Sequence, residues 1–174
     1  MEDRAPFTGK ITQKAILFGP QDRVLLTRVD DHWEPPGGTF EYGETLVGGL
    51  RRELHEELAL DTRVGPPVEA LYGGWADDEG TPMVTLVYRC ETDETDVTLN
   101  HEHDDYEWLS PSAAADRLGM MAGRLGTAVE RAAAIGGHPP FEAVTDPYDG
   151  TDVATEELLA ALERARRSDG SSEE

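Results

Sequence analysis

The chain has a single cysteine among 174 residues, so Cys90 has no internal disulfide partner, the usage expected of a reducing cytoplasm. Lysine is nearly absent too. Lys10 and Lys14 stand beside thirteen arginines, and these 15 basic residues face 36 acidic ones for a net charge of -21. A basic surface for a nucleic-acid polymer is therefore missing, as is one for anionic lipid. No run approaches the roughly 18 apolar residues of a membrane span. Met1-Glu-Asp-Arg does not read as the start of a secretory signal. Aromatic residues reach only 7%, but hydrophobic residues reach 38% and recur periodically, so a folded core under an acidic shell is expected rather than a disordered chain. This acidity with almost no lysine suits a halophilic protein, since concentrated salt screens the self-repulsion.

The length suits one domain, read as residues 1–167 with a disordered polar tail at 168–174. Lys10 to Phe18 and Val24 to Val29 read as a β-hairpin across Gly19-Pro20-Gln21-Asp22-Arg23. A loop follows to Gly43, with Pro35-Pro36-Gly37-Gly38 at its centre. From Glu44 to Leu58 the leucines at 46, 50, 54 and 58 predict a helix. Pro66-Pro67 reads as a break, followed by strands at Val68 to Trp75 and Met83 to Cys90 around the turn Asp77-Asp78-Glu79-Gly80. Tyr106 to Leu109 is expected as a short strand. Ser110-Pro111 starts a helical region, with patterns at about 111–118, 121–135 and 155–167. The Ala-rich C-terminal helices are candidates for an extra layer or for a homodimer contact. Strands mixed with helices predict an α/β or α+β domain with a mixed sheet.

The chemistry concentrates between Gly38 and Leu60. On a helix Glu53, Glu56 and Glu57 share one face, at i, i+3 and i+4, bordering the leucine stripe. They lie in the C-terminal half, where the macrodipole disfavours negative charge, and each like-charge pair adds a few tenths of a kcal/mol of repulsion. A hard divalent cation such as Mg²⁺ or Mn²⁺ would relieve all of this. On the three glutamates alone, a solvated acidic helix face is an equal reading.

The wider spacing decides between them. Gly38, Glu44, Arg52-Glu53, Glu56-Glu57 and Leu60 reproduce G-x5-E-x7-R-E-U-x-E-E-x-G-U over 23 residues, with Ala59 in place of the last glycine. The sequence resembles the Nudix hydrolase family, over about 8–118. The approach Trp33-Glu-Pro-Pro-Gly37-Gly38 is similar too. The resemblance implies a Nudix-type α/β/α sandwich with the box as loop–helix–loop. It implies Mg²⁺- or Mn²⁺-dependent hydrolysis of the pyrophosphate in a small nucleotide derivative, either ADP-ribose-like or a nucleoside triphosphate. Glu53 and Glu57 are the implied main metal ligands, with Glu56 sharing the work and the Gly37 carbonyl completing the site. Arg52 is implied to fix the helix by pairing with Glu44. An additional carboxylate is expected before the Tyr106-Glu-Trp108 strand, and Glu102 is the choice. His101 and His103 are expected to face solvent. Gly38 is a candidate substrate contact, and Trp33 is a candidate either to stack on a nucleobase or to pack against the hairpin. The rival from another class is a nucleotide-sensing module without catalysis; the intact set of box carboxylates disfavours it. Ala59 puts an alanine where the chain is expected to need positive φ, at about 1 kcal/mol.

Overall fold

Two alternating strands set the frame. β1 (Lys10–Gly19) turns through a short 3-10 segment at Pro20–Asp22 into β2 (Arg23–Val29). The computed structural model describes residues 6–72, 80–119 and 123–136. β1 and β2 pair antiparallel only next to the turn, from Leu17↔Leu25 to Gly19↔Arg23. Beyond that they diverge. β2 continues against β3 (His32–Glu34) and, on its other edge, β6 (Asp105–Leu109). β1 instead runs parallel to β5 (Met83–Glu91), which carries β4 (Arg63–Leu71) on its far side. The sheet is therefore mixed, in the order β3-β2-β1-β5-β4 with β6 on β2.

The period-2 alternation of β1 sends its side chains to two cores. Ala15 and Leu17 join Leu50, Leu54 and Leu58 of α1 (Leu46–Leu58) in one apolar cluster. Ile16 and Phe18 join Ala114, Ala115 and Leu118 of α2 (Pro111–Gly119) and Ala128, Val129 and Ala132 of α3 (Gly123–Ile135) in the other. The result is helix, sheet, helix in three layers, as expected. Leu50, Leu54 and Leu58 are completely buried, and each stabilises the fold by about 1.5–3 kcal/mol.

Two differences from the expected elements have physical causes. Pro66-Pro67 does not break the chain; both lie inside β4, where the register shifts on either side of Pro67. β4 ends the sheet, and an irregular edge strand tolerates residues without an N–H. The loop after β2 holds a third strand, β3, too short for its alternation to show. The expected positions of Trp75, of the turn residues Asp77 to Glu79, of the 155–167 helix and of the tail lie outside the described residues.

Candidate active site

The catalytic-loop candidate is held by β1. Where β2 has moved away, the chain at 36–40 takes its place: Ala15 N–H donates to Pro36 O at 2.9 Å, Gln13 N–H to Gly38 O at 2.8 Å, and Phe40 N–H to Ile11 O at 2.9 Å. Gly37 has φ 125°, and a Cβ there would lie 2.3 Å from Gln13 O. A Cβ on Gly38 would lie 2.5 Å from the Glu53 carboxylate. Positive φ and backbone contact demand the first glycine, whereas at the second a side chain would push on the Glu53 carboxylate.

α1 starts at Thr45, whose hydroxyl accepts from Gly48 N–H at 3.0 Å. It ends at Ala59 in the left-handed region, φ 55° and ψ 33°. Arg52 is the hub of this helix. Its Nε and Nη2 donate to the two oxygens of Glu44 at 2.6 and 3.2 Å. Its Nη1 donates to Glu53 at 3.0 Å and to Glu56 at 3.1 Å. The Arg52 hydrogen bonds hold the Glu44 carboxyl below the usual glutamate range, and Glu44 first of all raises the Arg52 pKa. Burial pushes Glu53 upwards, more than Arg52 pulls it down, with the charges of Glu57 and Glu56 adding to the rise.

Glu57 is different from its neighbours. It is buried, with 6% of its side chain exposed against 56% for Glu56. One oxygen accepts from Gly37 N–H at 2.8 Å; the other stands 3.2 Å from His103 Nε2, in an alignment short of a good hydrogen bond. Burial favours its neutral form, but contact with His103, the Lys14 charge and the Gly37 amide outweigh this and leave the pKa lowered. His103 is carried there by the chain after β5, which docks on the helix end: Thr98 N–H donates to Leu58 O and Asn100 N–H to Glu57 O, both at 3.0 Å. These bonds also satisfy carbonyls that a helix terminus leaves open.

The site geometry has relatives. Residues 10–130 match the family model described as the NUDIX domain. The chain belongs to the Nudix family. It is 28% identical to a MutT-like protein of Streptomyces ambofaciens over 119 residues, 67% of this chain and 74% of that one. It is 34% identical to the nucleoside triphosphatase NudI of Escherichia coli over 87 residues, 45% of this chain and 62% of that one. In fold it is similar to the MutT protein of Methanosarcina mazei, with TM-score 0.62 at 22% identity, covering 78% of this chain and all of that one. As a Nudix hydrolase it is a pyrophosphohydrolase acting on nucleoside di- or triphosphate compounds as a class.

Nudix hydrolases generally use divalent metals such as Mg²⁺. Among the described residues, no three acidic, histidine or cysteine side chains already stand together as a cage. The donor chemistry nonetheless fits. Glu53 and Glu56 converge on one cationic group, Arg52, and each keeps a second oxygen without a partner among the described residues. Glu53 is also a partly buried carboxylate that its surroundings disfavour as an anion. The Gly37 carbonyl accepts from Lys14 Nζ at 2.7 Å, with one lone pair to spare.

Other expected positions are more scattered. Glu102 is exposed and hydrogen-bonds within its own loop, accepting from Asn100 Nδ2 at 3.3 Å. Of the two histidines expected in solvent, His101 is exposed but His103 is buried, because the docking of 98–100 turns it onto Glu57. Trp33 packs partly buried on the α2–α3 core, with the Arg117 guanidinium 4.9 Å over its ring. Cys90 is buried on β5. Sequence reasoning passed over Lys14. Its signal was its rarity, a lysine in a chain that otherwise uses arginine. His103 carried no such signal.

Proposed function

We propose that this Nudix hydrolase cleaves the pyrophosphate linkage of a nucleotide by attack of water on phosphorus, with Mg²⁺ or Mn²⁺ as cofactor. The observation that carries the reading is the Arg52 hub: one guanidinium gathers Glu44, Glu53 and Glu56 beside a side-chain-free rim at Gly37-Gly38. Glu53 and Glu56 would hold the metal from the open side, with Glu57 behind and the second lone pair of Gly37 O as a further donor. When bound, such an ion supplies charge neutralisation of the anhydride and activation of water. The chain's own residues do the rest. Arg52 orients Glu53 and Glu56 through its hydrogen bonds and ties α1 to the loop through Glu44. Glu57 fixes the rim by accepting from Gly37 N–H. Glu102 is the proposed extra carboxylate, reaching the attacking water by a turn of its exposed loop.

Among nucleotides, a nucleoside triphosphate is favoured over an ADP-ribose-like compound, because NudI is named for that activity. A cytoplasmic setting, a single domain over 1–167 and adaptation to high salt complete the proposal, supported by the lone buried cysteine and the net charge of -21. Among the described residues, no helix is long and apolar enough to cross a membrane. A homodimer through the C-terminal region is part of the same reading. A panel of nucleoside triphosphates and ADP-ribose in molar KCl with Mg²⁺, read as released nucleoside monophosphate with pyrophosphate or ribose 5-phosphate as its co-product, tests it. Turnover that depends on Mg²⁺ is expected; no release from any of them sinks the proposal.

A further inference from the structure

β1 alternates across the sheet, so Gln13 and Ala15 face α1 while Thr12 and Lys14 face the other way, into a cavity of about 230 Å³. Gly37 and Gly38 form its rim and the carboxylates lie beyond them. The volume is under the roughly 300 Å³ where pockets for drug-sized ligands begin, which suits one planar ring system rather than a whole nucleotide. Leu71, Met83 and Leu125 supply apolar walls. Of its polar lining, Thr12 and Thr85 bond to each other at 2.8 Å and satisfy themselves. Lys14 and Glu34 do not. The ammonium gives one N–H to Glu34 Oε1 at 3.1 Å and one to Gly37 O at 2.7 Å, which leaves its third without a partner among the described residues. Glu34 Oε2 is likewise unused among them.

We propose that Lys14 and Glu34 are the specificity-determining pair of this site and select a guanine base. This rests on the proposed nucleotide hydrolysis and names its substrate class. The pair offers one cationic donor beside a two-oxygen acceptor. Guanine presents the complement, O6 as acceptor next to N1–H and N2–H as adjacent donors, and makes three hydrogen bonds. Adenine offers one donor beside one acceptor, cytosine one donor beside two acceptors, and uracil sets a carbonyl against the carboxylate. A partly buried polar pair left incompletely matched rejects the wrong ligand. With the base in the cavity, the phosphates pass over the glycine rim, which has no side chain to obstruct them, towards Glu53 and Glu56.

The test is calorimetric titration of the full chain in molar KCl, without divalent metal, using GMP, IMP, AMP and CMP. GMP should bind about tenfold or more tighter than AMP or CMP, with IMP, which lacks the 2-amino donor, in between. In Glu34→Gln the GMP advantage should fall to within about twofold, and Lys14→Met should weaken GMP most. Equal binding of the four, tightest binding of AMP or CMP, or a GMP advantage that survives Glu34→Gln would overturn the assignment. The wild-type series decides even if a variant fails to fold. A chain that hydrolyses all triphosphates alike with no such series rejects the base assignment alone. The series without any turnover rejects the hydrolytic reading alone.

Discussion

Glu53 and Glu57 lie four residues apart on one helix, yet their surroundings push their pKa values in opposite directions. Replacing either by Gln should lower turnover by orders of magnitude, but stability should separate them. Glu53 is raised, so its ionised form opposes folding at neutral pH, and metal-free Glu53→Gln should melt at or above the wild-type temperature. Glu57 is lowered, so its contribution is complete above the ordinary glutamate pKa of about 4.3 and is lost as pH falls through its folded value. Glu57→Gln should therefore melt lower at pH 7 and flatten the acid side of the stability profile. Calorimetric scans across pH 3–7 would check both signs, and equal behaviour of the two variants would contradict this account. Ala59 offers a simpler experiment. Its φ of 55° costs an alanine what glycine does not feel, so Ala59→Gly should stabilise by up to about 1 kcal/mol in urea titration. A loss of stability would mean that the methyl group packs usefully.

Among the elements, α3 adds to its apolar core contacts two ion pairs that share one acid on β4. The Glu69 side chain on β4 is 7% exposed and pairs with both Arg124 and Arg131 of α3. Both arginines are more than half exposed, so each pair is partly screened. Glu69→Ala should cost about 1–2 kcal/mol, or roughly 3–6 °C in Tm. Because Leu71 and Leu125 face the cavity from β4 and α3, the same change should also weaken ligand binding in the titration above. An unchanged Tm would show that the apolar contacts alone hold α3 in place.

For the molecule as a whole, the charge of -21 should make the folded state depend on salt. The Debye length falls from about 30 Å at 0.01 M to about 3 Å at 1 M, so self-repulsion that acts across the whole domain at low salt is confined to touching neighbours. Tm should rise steeply between these limits, and more with KCl than with sucrose at matched osmolarity. A flat profile would reject the halophilic reading and leave the proposed catalytic residues untouched.

Features that depend on period and spacing were legible in the order of residues alone. The leucine repeat made α1, the Thr45 cap and positive-φ Ala59 bounded it within two residues of expectation, and the box spacing brought Arg52 within bidentate reach of Glu44. Those are contacts within about one helix and its adjoining loop. The remaining features arise where folding joins segments far apart in the chain. Glu57 is buried while Glu56 is exposed because residues 98–103 fold over the helix end, and Lys14 meets Glu34 and Gly37 because a loop replaces β2 beside β1. Pro66-Pro67 stays in a strand because β4 is an edge. Periodicity carries no information about such pairings, because they depend on which surfaces the two cores bring together.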